Sequence, residues 1–303
     1  MRKCLGLSIV ALMILSSGIQ AGREGPFPKL RGPYLGQKAP GRTPQPFAPG
    51  IISTDEDEGS SGFALNGTAF LFQKFLDGIC RTFIMRLADG FWTPPEQIPF
   101  SDTMSRNGDF VFSSDDKTML YQVKTETGGL LASDIWKAEL KASGWGDRAP
   151  LPTPINSPDD ESYASDTPGG TVYFFSNRRG GKGRFDLYMC PFKEGRYGDA
   201  VNLESLNTEY NEWDPFVSPD ESCLIFCSTR PGGLGMDDLY ITFKGADGRW
   251  GPAKNMGAEI NSPGSENRPY LSHDGKYFFF TSTRNGNRDT FWGQAEFIDR
   301  FRN

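Results

Sequence analysis

Between residues 51 and 293 short apolar runs alternate with turn signals at a steady pitch. In the stretch from Glu212 to Tyr240, Asp220-Glu221 marks a tight turn and Leu224 to Cys227 is continuously apolar. Gly232, Gly233 and Gly235 then punctuate a hairpin before Leu239-Tyr240. Runs this short, bounded by turn residues, specify strands rather than helices. The aromatic at the centre of the apolar strand returns as Phe72, Tyr121, Phe174, Phe226 and Phe280, at spacings of 49, 53, 52 and 54 residues. A turn pair precedes it in each copy, as Asn66-Gly67, Asp115-Asp116, Pro168-Gly169, Asp220-Glu221 and Asp274-Gly275. A third strand carries Phe83, Trp136, Tyr188, Tyr240 and Phe291, and an outer strand is marked by Trp92, Trp145, Tyr197 and Trp250.

Each copy is a small meander that cannot bury both faces alone, so stacking of neighbours must create the core. The pattern predicts an all-β, five-bladed β-propeller of four-stranded antiparallel blades. The blades are expected near 51–98, 99–152, 153–205, 206–259 and 260–296. The fifth copy lacks an outer strand of its own after Asp289. Gly41-Arg42-Thr43-Pro44 is similar to Gly248-Arg249-Trp250-Gly251-Pro252 at the start of an outer strand. The segment from Arg42 to Pro49 is therefore expected to close the ring as an N-terminal strand on the last blade, removing both open edges.

The repeat resembles the TolB-type, WD-like propeller repeat. Copy four carries the pattern in Glu212, Pro215, Ser218, Pro219, Asp220, Ser228, Arg230, Gly232, Gly233, Asp238, Leu239 and Tyr240. Copy five keeps Glu266, Pro269, Ser272, Asp274, Gly275, Ser282, Arg284 and Asp289, with His273 in place of the turn proline. Copy three keeps Glu161, Ser176, Arg178, Gly180, Gly181, Asp186, Leu187 and Tyr188, and the first two copies retain little beyond turns and aromatics. The resemblance implies the fold directly. It also implies an interaction module of the bacterial envelope, because TolB-type propellers commonly serve as one.

Ahead of the repeats, Met1 to Ala21 has Arg2 and Lys3 followed by an apolar run from Leu5 to Leu15 and a small-residue end, which predicts a signal peptide over 1–21. The run is about half the ~20 residues of a spanning helix. Loss of Arg2 and Lys3 would move the formal net charge from −6 to −8. This balance argues against a nucleic-acid partner, which demands clustered Lys and Arg. A soluble, monomeric, exported protein, periplasmic or extracellular, is the expectation. Residues 22–40 are rich in Pro and Gly and predict a linker, with the single propeller domain over 41–303.

The residues that could carry chemistry are few. His273, the single histidine, falls on a hairpin turn, so triad mechanisms are set aside. Cys223 and Cys227 lie on one strand about 13 Å apart, beyond disulfide reach. No Cys-x-x-Cys pair or histidine cluster suggests zinc, and no cofactor or metal is expected. Carboxylates remain. Glu58, Glu161, Glu212 and Glu266 recur at the start of the innermost strand, with Asn107 in copy two. In a propeller these positions converge on one mouth of the channel. They and Trp213 are the candidate ligand-binding residues. Two readings follow. One is a non-enzymatic binding or scaffold propeller that presents its funnel and loops to a protein, peptide or cell-envelope glycan. The alternative is a carbohydrate-active enzyme, a glycosidase or polysaccharide lyase, using a pair of mouth carboxylates. Because the acids belong to the repeat, bonding to the recurring Arg178, Arg230 and Arg284 is the expected fate of most of them.

Overall fold

The aromatic rows dictate how the strands pair. In the computed structural model, which describes residues 26–101, 108–127 and 130–302, the two predicted rows face each other in register. Phe72 pairs Phe83, Tyr121 pairs Trp136, Phe174 pairs Tyr188, Phe226 pairs Tyr240 and Phe280 pairs Phe291. Four of these pairs are stacked, with centroids 5.6–6.0 Å apart, a geometry that adds to simple area burial. Five antiparallel sheets result, and the chain is a five-bladed β-propeller.

The innermost strands are Asp57–Ala64, Phe110–Phe112, Glu161–Asp166, Glu212–Val217 and Glu266–Leu271. A bulge interrupts four of them, between Glu58 and Ser61, Ser162 and Ser165, Trp213 and Phe216, and Asn267 and Tyr270. The ring closes as expected. Gln45–Pro46 pairs antiparallel with Phe291 and Trp292 of the last blade, and Phe47 donates its N–H to Thr290 O at 2.7 Å.

Two details differ from the sequence reading. The outer strands of blades 1, 3 and 4 are Glu96–Gln97, Val201–Asn202 and Lys254–Asn255, four or five residues beyond Trp92, Tyr197 and Trp250. These aromatics sit on ribbons next to the turn, where Trp92 pairs Leu87 and Tyr197 pairs Phe192. Second, the described part of the expected linker, residues 26–40, is packed as a strap. Phe27, Leu30 and Tyr34 lie against the core, and Leu35 is fully buried. Trp92 Nε1 donates to Gly32 O at 2.8 Å, and the Tyr34 hydroxyl donates to Asp274 at 2.7 Å. Pro and Gly limit regular structure here to one 3-10 turn, Tyr34–Gly36, but they do not stop four apolar side chains from filling a groove between blades 1 and 5. The expected leader over 1–21 lies outside the described residues. Among those described, no helix is long and apolar enough to cross a membrane.

Candidate functional site

The start of each innermost strand belongs to a row that crosses the blade. Glu161 pairs Ser176, which pairs Asp186; Glu212 pairs Ser228, which pairs Asp238; Glu266 pairs Ser282, which pairs Asp289. The spacing of the motif is thus a register. Glu212 Oε1 accepts from Thr208 Oγ1 at 2.7 Å, Ser228 Oγ at 2.8 Å and Arg230 Nη2 at 3.1 Å, while Oε2 accepts from the Thr208 N–H at 2.7 Å. Glu161 repeats this arrangement with Ser157, Ser176 and Arg178, and Glu266 with Ser262, Ser282 and Arg284. The arginines also lie over their aromatic pairs, as Arg230 does over Tyr240 at 4.8 Å. Each assembly clamps one blade to itself.

All four candidate glutamates are fully buried. Glu161, Glu212 and Glu266 have both carboxylate oxygens engaged, so they do not form a ring open to a ligand. Glu58 differs because blade 1 has Lys74 where the others have serine. Its Oε1 accepts from Thr54 at 2.9 Å and lies 3.4 Å from Lys74 Nζ, while Oε2 has no partner among the described residues. That separation would suit an ion pair. Burial nevertheless pushes the Glu58 carboxyl up to about 8 and lowers the Lys74 ammonium, so the pair is held close to neutrality. Trp213 is half-buried, with Nε1 directed at Cys227 Sγ at 2.6 Å.

The side chains that do meet on the axis lie two residues further along. They are Asp109, Tyr163, Asp214 and Arg268 of blades 2 to 5; in blade 1 the same position is Ser60, whose Oγ accepts from the Phe110 N–H at 3.2 Å. Tyr163, Asp214 and Arg268 share a left-handed backbone, with φ of 44, 51 and 53°. The bulge at this point turns their side chains across the channel. Arg268 Nε donates to Asp109 Oδ1 at 2.6 Å, joining blades 5 and 2, which are not neighbours in the ring. The Arg268 N–H donates to Asp214 Oδ2 at 3.1 Å, and the Tyr163 hydroxyl donates to Pro269 O at 3.0 Å. Beyond this ionic layer the channel is filled by Phe63, Val111, Tyr163, Phe216 and Tyr270, which belong to one core cluster. The funnel is therefore blind, with a charged floor over an aromatic plug.

Burial, then the neighbouring Asp109, pushes the Asp214 carboxyl up to about 7. Burial opposes the charge of Arg268, but Asp109 and Asp214 outweigh it and hold the guanidinium above its usual range. Sequence reasoning missed this layer. Its one signal was that the residue types there break the repeat. It also missed Asn156, Asn207 and Asn261, five residues before the acids. Each clamps the third strand of the preceding blade, as when Asn207 accepts from the Leu187 N–H at 2.8 Å and donates to Leu187 O at 2.9 Å. At the seam of blades 1 and 5 an acidic cleft of about 820 Å³ is lined by Asp55, Glu56, Asp57, Asp77, Phe75 and Arg288, among others.

Cys80, Cys190, Cys223 and Cys227 are free and buried. Among the described residues no group of three or more His, Cys, Asp or Glu side chains could hold a metal ion.

No family model and no curated protein matches the chain. Solved structures do. It is similar to the endo-arabinase of Bacteroides thetaiotaomicron, at 11% identity and a TM-score of 0.52 over 80% of this chain and 96% of that one. It is similar to the α-L-arabinofuranosidase of Lactobacillus brevis, at 10% identity and a TM-score of 0.51 over 81% and 91%. TolB of Acinetobacter baumannii aligns at 16% identity and a TM-score of 0.49 over 81% of this chain, which spans only 56% of that protein's length. At such identities the likeness concerns the fold. The chain is a five-bladed β-propeller whose last three blades carry a repeat that resembles the TolB type.

Proposed function

We propose that this chain is a non-catalytic binding propeller that acts outside the cytoplasm and offers its blind funnel to a component of the cell envelope. One observation carries the reading. The carboxylates that a hydrolase would need free are tied to protein partners. Glu161, Glu212 and Glu266 are locked to serine or threonine and arginine, and Arg268 bonds both axial aspartates. A glycosidase requires one carboxyl poised as acid and a second free as nucleophile or base. The export part of the proposal rests on the charged, apolar and small-residue pattern of 1–21.

A second reading has one specific observation in its favour. Asp214, raised to about 7 beside Asp109, has the protonation that a general acid needs at neutral pH. The endo-arabinase and the arabinofuranosidase that share the fold lend it substrate chemistry. One experiment separates the two. Purified full-length protein is incubated with arabinan, xylan and peptidoglycan, and new reducing ends are counted. The binding reading expects no release above a heat-killed control. Release that disappears in Asp214→Asn would overturn it.

A further inference from the structure

The axial layer is a place where an otherwise regular repeat stops repeating. Charges are buried there at a cost that the fold does not require, since Ser60 and Tyr163 fill the same position in other blades. Three of its residues hold a left-handed backbone, a local strain that functional sites tend to store. The layer is not sealed, because the side chains of Arg268 and Asp109 keep 9% and 10% of their exposure.

Its hydrogen-bonding groups define what could dock. Arg268 Nε is taken by Asp109 and Nη1 by Asn267 Oδ1 at 2.9 Å. Nη2 has no partner among the described residues. Asp109 Oδ1 and Asp214 Oδ2 are the carboxylate oxygens turned toward Arg268. A ligand seated here therefore meets the Arg268 guanidinium between the Asp109 and Asp214 carboxyls, with Arg288 and Asp237 close enough to act on them through their charge. An anion would face two carboxylates, and an ammonium would face the arginine. A hydroxyl group serves both partners, since it accepts from a guanidinium and donates to a carboxylate. Two adjacent hydroxyls fit best. Asn267, next in sequence to Arg268, is half-buried and holds its guanidinium in place.

We infer that Asp109, Asp214 and Arg268 form the floor of a binding site for an uncharged, vicinally hydroxylated ligand, the end of a neutral oligosaccharide. This deepens the binding-propeller reading and rests on it.

The test is calorimetric titration of the full chain with neutral tetrasaccharides, namely cellotetraose, xylotetraose and arabinotetraose. Tetragalacturonate and chitosan tetraose serve as the anionic and cationic counterparts. At least one neutral sugar should bind saturably, and the two charged ones should not. Asp214→Asn, which keeps shape and one acceptor, should weaken that binding at least tenfold. Asn267→Ala removes a partly exposed side chain that accepts from Arg268 Nη1, and it should weaken binding severalfold in a protein that melts like wild type. No neutral sugar binding at millimolar concentration, equal binding of a charged one, or unchanged affinity in both variants would overturn the inference. Such a failure leaves the binding-propeller reading standing. Reducing-end release in the hydrolysis assay would instead reject that reading while sparing the site.

Discussion

Replacing a repeat glutamate by glutamine should give opposite results in blades 4 and 1. Glu212 is fully buried and takes four hydrogen bonds, one of them from Arg230, whose side chain is 18% exposed. In Glu212→Gln the amide nitrogen must face a donor, either the Thr208 N–H or the trio of Thr208 Oγ1, Ser228 Oγ and Arg230. The charge of Arg230 is also left unbalanced. Breaking one side of a buried pair costs about 3–5 kcal/mol. Arg230 keeps bonds to Ser228 Oγ at 2.9 Å and Leu206 O at 2.7 Å, so the lower end, about 3 kcal/mol, applies. At about 2 °C per kcal/mol for a domain of this size, the thermal midpoint should fall by about 6 °C. Glu58 is already held close to its neutral form at pH 7, since burial raises its carboxyl to about 8. Glutamine mimics a protonated carboxyl, and Glu58→Gln should therefore change stability by less than about 1 kcal/mol. Urea unfolding of both variants at pH 7, followed by tryptophan fluorescence, measures the difference. If Glu58→Gln costs as much as Glu212→Gln, the buried neutral pair with Lys74 does not exist.

Two further outcomes are expected. Leu35→Ala should destabilise the fold by about 2–5 kcal/mol, because a fully buried leucine leaves a cavity, and removal of residues 22–40 should lower the melting temperature at least as much; a linker would show neither effect. Asp214 should make stability fall as pH rises. Its folded carboxyl sits at about 7 against 3.8 in the unfolded chain, so the folded state binds the extra proton between those values, and stability is lost at up to about 1.4 kcal/mol per pH unit across that window. Asp214→Asn should flatten the profile between pH 4 and 7, and an unchanged slope would show that Asp214 is ionised throughout.

The blades were legible because their determinants repeat. The paired aromatics and the row from Glu212 through Ser228 to Asp238 are single registers seen edge-on, so spacing along the chain encodes adjacency across strands. The closing strand was legible for the same reason, as Arg42 to Pro49 echoes an outer strand and lands beside Phe291 and Trp292. Repetition misleads where a single position matters. It drew attention to Glu161, Glu212 and Glu266, whose regularity means that blades 3, 4 and 5 each use one for their own clamp. In the strap, Leu35 lies in a Pro- and Gly-rich stretch with no period, and nothing in its neighbours on the chain marks it as core.

The axial layer was hidden by the same logic in reverse. Asp109, Asp214 and Arg268 are 54 to 159 residues apart and share no motif, only a common offset of two from the repeat acid or its substitute Asn107. That offset becomes informative once the bulge is known to turn this position toward the axis. A propeller confronts its five inner strands there with no neighbour but one another, so any residue type that fits is compatible with the fold. Side chains chosen freely by the scaffold, and yet charged and buried, are the ones whose identity needs a reason other than folding. Apolar residues at these positions would merely have continued the plug of Phe63, Phe216 and Tyr270 to the mouth.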